Sequence, residues 1–271
     1  MVDEAYKQFY TLLETRTGIC LDETKQYLVD SRLADLSKHH QHTTVPGFLK
    51  TLTQTTVGEL HWNAFEALTT NETMFFRDRA IFDVLSSLIL PKLVQKREKE
   101  KRLRISCSAV STGQEAYSLA ILLNEKFPKL KDWGVLIQAT DICSQALDRA
   151  RLGIYTRTEV ERGLDAHLIG KYFTEVERDK FQVSQSLRES VTFLPTNLLH
   201  APPEYPKFDL IMLRNVLIYF RQQTKDLVLK RIHSQLQPQD GVLILGATES
   251  ILENPLFKIQ THGKLACYTA V

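Results

Sequence analysis

The chain has 271 residues, 43% hydrophobic and 24% charged, with 34 Lys/Arg against 32 Asp/Glu and a formal net charge of +2. At about 150 residues per domain this is one or two ordinary globular domains, and the near-neutral balance gives no basis for a polybasic nucleic-acid binder. No apolar run approaches the roughly 20 residues that a spanning helix needs, and residues 1–8 carry acids without the apolar core of a signal peptide.

Tyr6, Phe9, Tyr10 and Leu13 recur at i, i+3, i+4 and i+7 and predict a first helix, with Gly18 placed to stop it. Val29, Leu33 and Leu36 line a second. Pro46 suits the first turn of a third, carrying Phe48, Leu49 and Leu52. Leu60, Ala64, Phe65 and Leu68 make a fourth. Residues 1–70 are therefore expected to form a small helical bundle. They hold six Lys/Arg and nine Asp/Glu, against 28 and 23 in the remainder, an asymmetry that also suggests two domains. Ile81, Val84, Leu85, Leu88 and Ile89 predict another helix, ending at Pro91. Residues 92–104, with seven basic and two acidic residues, read as a solvated helix end and loop; a phosphate-binding patch would be the sharper reading, but aromatics are not interleaved.

From residue 103 short apolar runs alternate with helical stretches. Strands are expected at 103–107, 135–140, 208–213 and 242–246, and helices at 114–127, 144–151 and 222–236. Pro238, Asp240 and Gly241 make a turn. Such alternation argues for a parallel α/β sheet with helices on both faces. Residues 257–259 and 266–269, around Gly263, read as an antiparallel hairpin closing the sheet. Residues 152–195 break the rhythm and are expected to be a small insertion containing strands at 181–184 and 191–193. The four cysteines, Cys20, Cys107, Cys143 and Cys267, sit among apolar neighbours at no metal-type spacing. They are expected to be buried free thiols in a reducing compartment, the cytoplasm.

Open α/β sheets bind ligands at the carboxyl ends of their strands. After the first strand, residues 108–115 form a small-residue loop that opens a helix without the G-x-G-x-x-G of a dinucleotide site. Asp141, after the second strand, can accept hydrogen bonds from both hydroxyls of a ribose; the plainer reading is a helix cap. Glu115 can face a cationic group. Together these fit a nucleoside with a positive tail and no pyrophosphate, such as S-adenosylmethionine (SAM), better than a dinucleotide. Residues 69–78 join the two halves, where Phe75 and Phe76 could simply plug an interface. Residues 208–220 run from a hydrophobic strand into Arg214 and Asn215.

Six motifs stand in order across residues 70–251: TNETMFFRD (70–78), SAVSTGQEAYSLA (108–120), ATDI (139–142) followed by ALDRARLGIY (146–155), NLL (197–199), FDLIMLRNVLIYF (208–220) and LGATESI (245–251). In these the sequence resembles the chemotaxis-receptor protein-glutamate O-methyltransferase (CheR) family, and the helical first 70 residues resemble that family's N-terminal domain less specifically. The resemblance implies a SAM-dependent methyltransferase with a Rossmann-like, doubly wound α/β sheet. An all-α recognition domain at 1–70 would precede a SAM-binding domain at 71–271, with an antiparallel β-subdomain inserted at about 156–195. It implies methyl transfer from SAM to glutamate side chains of chemoreceptor cytoplasmic helices, giving glutamyl methyl esters and S-adenosylhomocysteine (SAH). It maps cofactor binding onto Asn71, Thr73, Arg77, Glu115, Asp141, Asn197, Leu198, Arg214 and Asn215, and places Arg77 and Tyr219 closest to the transferred methyl.

Departures bear on partners. Gln114 and Ala116 stand where many members have Glu and Pro. Members tethered to a receptor's C-terminal pentapeptide have a longer, Gly-containing loop in the insertion; here residues 174–180 are short, charged and free of Gly, so no strong tether is expected. The second helix offers Arg32, Lys38, His39 and His40 for acidic receptor helices, within an acidic domain. Competing readings are a SAM-dependent methyltransferase of another substrate and a non-catalytic SAM- or SAH-binding module. No nucleic acid, metal or membrane insertion is expected.

Overall fold

The computed structural model describes residues 4–200, 206–251, 254–262 and 265–271. Gly263, expected within a hairpin, lies outside them. The chain forms two compact units, the first comprising residues 1–70, 197–200 and 219–228, the second residues 71–196, 201–218 and 229–271.

The first unit contains α1 (Glu4–Thr17), α2 (Gln26–His39), α3 (Val45–Gln54) and α4 (Glu59–Ala67). Phe9, Leu13, Val29, Leu33, Phe48, Leu49 and Leu52 are fully buried in its core, each contributing about 1.5–3 kcal/mol of apolar burial. Gly18 takes a φ of +81° and ends α1. Thr44 accepts from Gly47 N at the start of α3, with Pro46 in its first turn. Arg32 is engaged rather than free: its Nη1 donates to the carbonyls of Leu68 (2.9 Å) and Thr69 (2.7 Å) just past α4. His61 is buried, with Nε2 2.8 Å from Leu52 O.

In the second unit α5 (Arg79–Val84) and α6 (Leu90–Lys96) are joined by a π-helical turn, Leu85–Ile89. The helix therefore does not end at Pro91 as the sequence suggested. The π turn, with Leu90 N donating to Leu85 O, resets the ladder so that Pro91 falls in the first turn of α6, where its missing N–H costs nothing. The chain continues through β1 (Arg102–Ser108), α7 (Gln114–Lys126), β2 (Gly134–Asp141), α8 (Ser144–Leu152), β3 (Ile154–Thr156), α9 (Arg157–Glu161), α10 (Ala166–Tyr172), β4 (Phe173–Glu177), β5 (Lys180–Val183), α11 (Gln185–Glu189) and β6 (Val191–Pro195). After these come β7 (Leu210–Leu213), α12 (Gln222–Gln235), β8 (Val242–Leu245), β9 (Phe257–His262) and β10 (Leu265–Ala270).

The main sheet has the order β6-β2-β1-β7-β8-β10-β9. β1 pairs in parallel with β2 (Ile105 opposite Ile137) and with β7 (Ile105 opposite Leu210); β10 alone is antiparallel to its neighbours β8 and β9. Strand order reverses between β1 and β7, which opens a crevice at their carboxyl ends. At the opposite end Asp209 accepts from Arg97 Nε (2.6 Å) and Arg104 N (2.8 Å), and Arg97 also reaches Asp240 at 2.9 Å. Part of the basic 92–104 stretch is thus a partly buried ionic fastening instead of a solvated face.

The insertion is an antiparallel sheet of order β3-β5-β4. Residues 191–193, expected in it, belong to the main sheet as β6, paired in parallel with β2 (Ile137 opposite Val191). The turn between β4 and β5 does reach positive φ without glycine, through Asp179 at +58°. Asp tolerates the left-handed region, so the lack of Gly does not by itself bar positive φ there, and the expectation of no strong tether is left resting on the loop's shortness and charge; Arg157 holds Asp179 at 2.8 Å.

Candidate functional site

The loop after β1 packs left-handed residues closely: Ala109 (φ 59°), Ser111 (54°) and Gly113 (98°). A Cβ at Gly113 would sit 2.8 Å from Ala150 Cβ, so this loop needs glycine where α7 begins. Asp141, at the end of β2 and buried, ties the two strand-end loops together. Its Oδ2 accepts from Ser111 N at 2.7 Å and its Oδ1 from Cys143 N at 2.9 Å. Ser111 Oγ in turn donates to Asn71 O at 3.0 Å, and Asn71 Nδ2 lies 3.7 Å from Cys143 Sγ. Asp141 therefore sits ahead of α8, whose N-cap position is Cys143, and its carboxylate joins two loops instead of serving as that cap.

A second cluster forms around Arg214, which follows β7 and is 5% exposed. Its Nη1 donates to Glu115 Oε2 at 2.7 Å; its Nη2 donates to Asp78 Oδ2 at 2.8 Å and to Arg77 O at 2.7 Å. Its Nε is buried without a partner among the described residues. Burial pushes the Glu115 carboxyl above the usual carboxylate range, with Arg214 and then Arg77 pulling it back and Glu249 adding to the rise. Arg77 Nη1 donates to Glu72 O at 3.1 Å and its side chain is half-buried. Phe76 (φ 47°) and Asp78 (60°) are also left-handed, a concentration of backbone strain that is usual at functional sites. Phe75 is fully buried against Tyr155 and Phe173, ring centroids 5.1 and 5.4 Å away.

Within the second unit the sequence-predicted residues Asn71, Arg77, Glu115, Asp141, Arg214 and Asn215 thus occupy the segment before α5, the start of α7 and the ends of β2 and β7, with half-buried Thr73 on that first segment. Asn197, Leu198 and Tyr219 belong to the first unit. There Asn197 Nδ2 donates to Arg16 O at 2.7 Å, and Tyr219 O accepts from Cys20 N at 2.9 Å. The sequence reading missed Glu249: its motif was visible, but nothing in the letters shows that one carboxylate collects the backbone N–H groups around Asn215.

The residues present fit SAM. Two carboxylates follow adjacent strands, the partly buried Glu115 in the first turn of α7, in a setting that favours a cationic partner, and the buried Asp141 at the end of β2 as an acceptor, and the orphaned Arg214 Nε is a donor of the kind a ligand oxygen satisfies. A doubly wound sheet with one antiparallel strand near its edge, and acids at the switch point, defines the nucleoside-cofactor class of α/β protein. Comparison with known proteins narrows the class. The description "CheR methyltransferase, SAM binding domain" matches residues 71–265, and "CheR methyltransferase, all-alpha domain" matches residues 4–69. Chemotaxis protein methyltransferase 1 of Pseudomonas aeruginosa is 39% identical, covering 92% of this chain and 91% of its own. The chemotaxis protein methyltransferase of Vibrio anguillarum is 36% identical, covering 92% and 90%. Among solved structures, a TehB-like SAM-dependent methyltransferase from Corynebacterium glutamicum aligns with a TM-score of 0.39 at 12% identity, covering 72% of this chain and 96% of that one. The chain belongs to the SAM-dependent CheR methyltransferase family. No helix among the described residues is long and apolar enough to cross a membrane.

Proposed function

We propose that this enzyme acts in the cytoplasm, transferring a methyl group from SAM to glutamate side chains on chemoreceptor cytoplasmic helices and leaving glutamyl methyl esters and SAH. Bound SAM supplies an electrophilic methyl on a sulfonium. An acceptor glutamate, with an ordinary pKa of about 4.3, is already ionised at neutral pH, so no general base is required. The work left to the protein is alignment and charge placement. Asp141 and Asn71 bind on the nucleoside side, Glu115 faces the cationic end, and Thr73, Arg214 and Asn215 add to the cofactor contacts; the family resemblance gives Asn197 and Leu198 a cofactor-binding role as well. Arg77 pairs with a carboxylate of the site, and Tyr219 orients the acceptor oxygen. Recognition of the receptor falls to the helical unit, without a strong pentapeptide tether.

The observation that carries this reading is the partly buried Glu115–Arg214 pair, 2.7 Å apart, whose guanidinium also donates to the Arg77 carbonyl and so fixes the backbone that bears the Arg77 side chain. The test is transfer of tritium from labelled SAM to receptor cytoplasmic fragments, with release of the label in mild base as the mark of an ester. Arg77→Ala should lower turnover by about a hundredfold or more while the melting temperature stays near that of the wild type. Base-stable label, or near-normal methylation by Arg77→Ala, would refute the reading.

A further inference from the structure

The carboxylate of Glu249 takes four backbone N–H groups from two separate loops. Oε2 accepts from Asn215 N at 2.6 Å and from Gly246 N at 2.9 Å; Oε1 accepts from Val216 N at 3.0 Å and from Leu217 N at 2.8 Å. Glu249 N returns a bond to Gly246 O at 2.9 Å, which closes a turn after β8. The approach is too close for a side chain at Gly246, where a Cβ would lie 2.7 Å from Asn215 Nδ2, 2.8 Å from Glu249 Oε2 and 3.0 Å from Asn215 N. Asn215 itself is held at φ 58°, in a conformation that only Gly, Asn and Asp adopt readily. Three consecutive N–H groups aimed at one anion form a concave backbone nest, here filled by a side chain of the protein. Arg214 immediately precedes that nest, and its guanidinium organises Glu115, Asp78 and the Arg77 carbonyl.

We propose that Glu249 is a positioning residue of the cofactor site: as an internal anion it locks the 214–217 turn, and through that turn it sets Arg214 and Asn215 for ligand binding. The proposal rests on SAM lying at the carboxyl ends of β1, β2 and β7, and is independent of which acceptor is methylated. Glutamine at 249 sets an –NH2 group against two of the N–H donors whichever way its amide is turned, so the turn opens although size and shape are kept.

The experiment is calorimetric titration of the full chain with SAH, beside thermal melting, for the wild type, Glu249→Gln, Glu249→Asp, Asp209→Asn and Asp141→Ala. Glu249→Gln should weaken SAH binding by about tenfold or more, in line with the loss of hydrogen bonds to a charged acceptor. Glu249→Asp, which keeps the charge at shorter reach, should recover part of that loss. Asp209→Asn removes a buried carboxylate at the other end of β7 and should lower the melting temperature without changing the dissociation constant. Equal SAH affinity in Glu249→Gln and wild type, or equal losses in Glu249→Gln and Asp209→Asn, would overturn the role of Glu249. An unchanged constant in Asp141→Ala would instead overturn the placement of the ligand. Hydrogen exchange on the wild type needs no variant: the amides of Asn215, Val216, Leu217 and Gly246 should exchange slowly and as a group, and fast, independent exchange would sink the clamp.

Discussion

Asp141 is a buried acid and Glu115 a partly buried one, yet their surroundings differ in kind. Asp141 rests on two backbone N–H groups, from Ser111 and Cys143, so it is a structural acceptor before any ligand arrives. Asp141→Ala leaves both donors buried and unmatched, at about 1–3 kcal/mol of stability, and should also weaken SAH binding. Urea unfolding and calorimetry separate the two losses; a variant that loses stability but binds SAH normally would reduce Asp141 to a loop tie. Glu115 depends instead on a side chain, the Arg214 guanidinium that donates to it at 2.7 Å. Its folded-state pKa lies above the ordinary value because of burial. The contribution of that carboxyl to stability is therefore full below the ordinary range and is lost as pH rises through the folded-state value. A group that costs stability when ionised is what a cationic ligand tail would reward, and this sets Glu115 apart from the surface acids.

At the scale of elements, α9 offers a measurable case. Thr156 and Glu159 form a reciprocal capping box, and Glu159 also takes both of its Arg149 contacts at 2.7 Å. Partial burial pushes the Glu159 carboxyl up, but the N–H and hydroxyl of Thr156 and then Arg149 outweigh it and hold the group below its ordinary range. Its stabilisation is thus present above the ordinary value of about 4.3 and is lost as pH falls through the lower folded-state value. Glu159→Gln should cost about 1 kcal/mol at neutral pH, with the difference from wild type shrinking in acid; an equal penalty at both pH values in urea unfolding would contradict the charged role. Elements were legible where burial wrote a clean pattern. Leu210–Leu213 is buried at every position, so it reads as a plain apolar run. Phe173–Glu177 escaped because four of its five residues are exposed, which leaves no alternation. Val191–Pro195 was visible as a strand but not as part of the main sheet, since five residues carry no record of their partner. Pro91 misled because a π turn is a backbone adjustment with no sequence letter. The site followed the same logic: acids at strand ends could be read, whereas the Glu249 clamp, made of main-chain donors, could not.

At the scale of the whole molecule, the chain interleaves its two units. Residues 197–200 and 219–228 lie in sequence among the second unit's segments yet complete the first. They contribute more than length to it. Tyr219 O accepts from Cys20 N, Asn197 Nδ2 caps the carbonyl of Arg16 at the end of α1, and Arg221 pairs with Glu14 at 2.8 Å. Phe220 and Thr224 lie against Gly18, where a Cβ would meet them at 3.1 and 3.0 Å. A separate peptide of residues 1–70 would keep the core of Phe9, Leu13, Leu33, Phe48 and Leu49 but lose all of these. A domain of about 60 residues buries only about 60% of its unfolded surface and is marginal, so two or three lost contacts at about 1 kcal/mol each are a large share of its stability. The peptide should therefore be helical by circular dichroism but melt well below the full chain, and adding SAH should leave its melt unchanged. In the full chain, SAH at 100 times its dissociation constant should add about 2.7 kcal/mol. A 1–70 peptide as stable as the intact protein would show that the two inserted segments are passengers on the helical unit and not part of its structure.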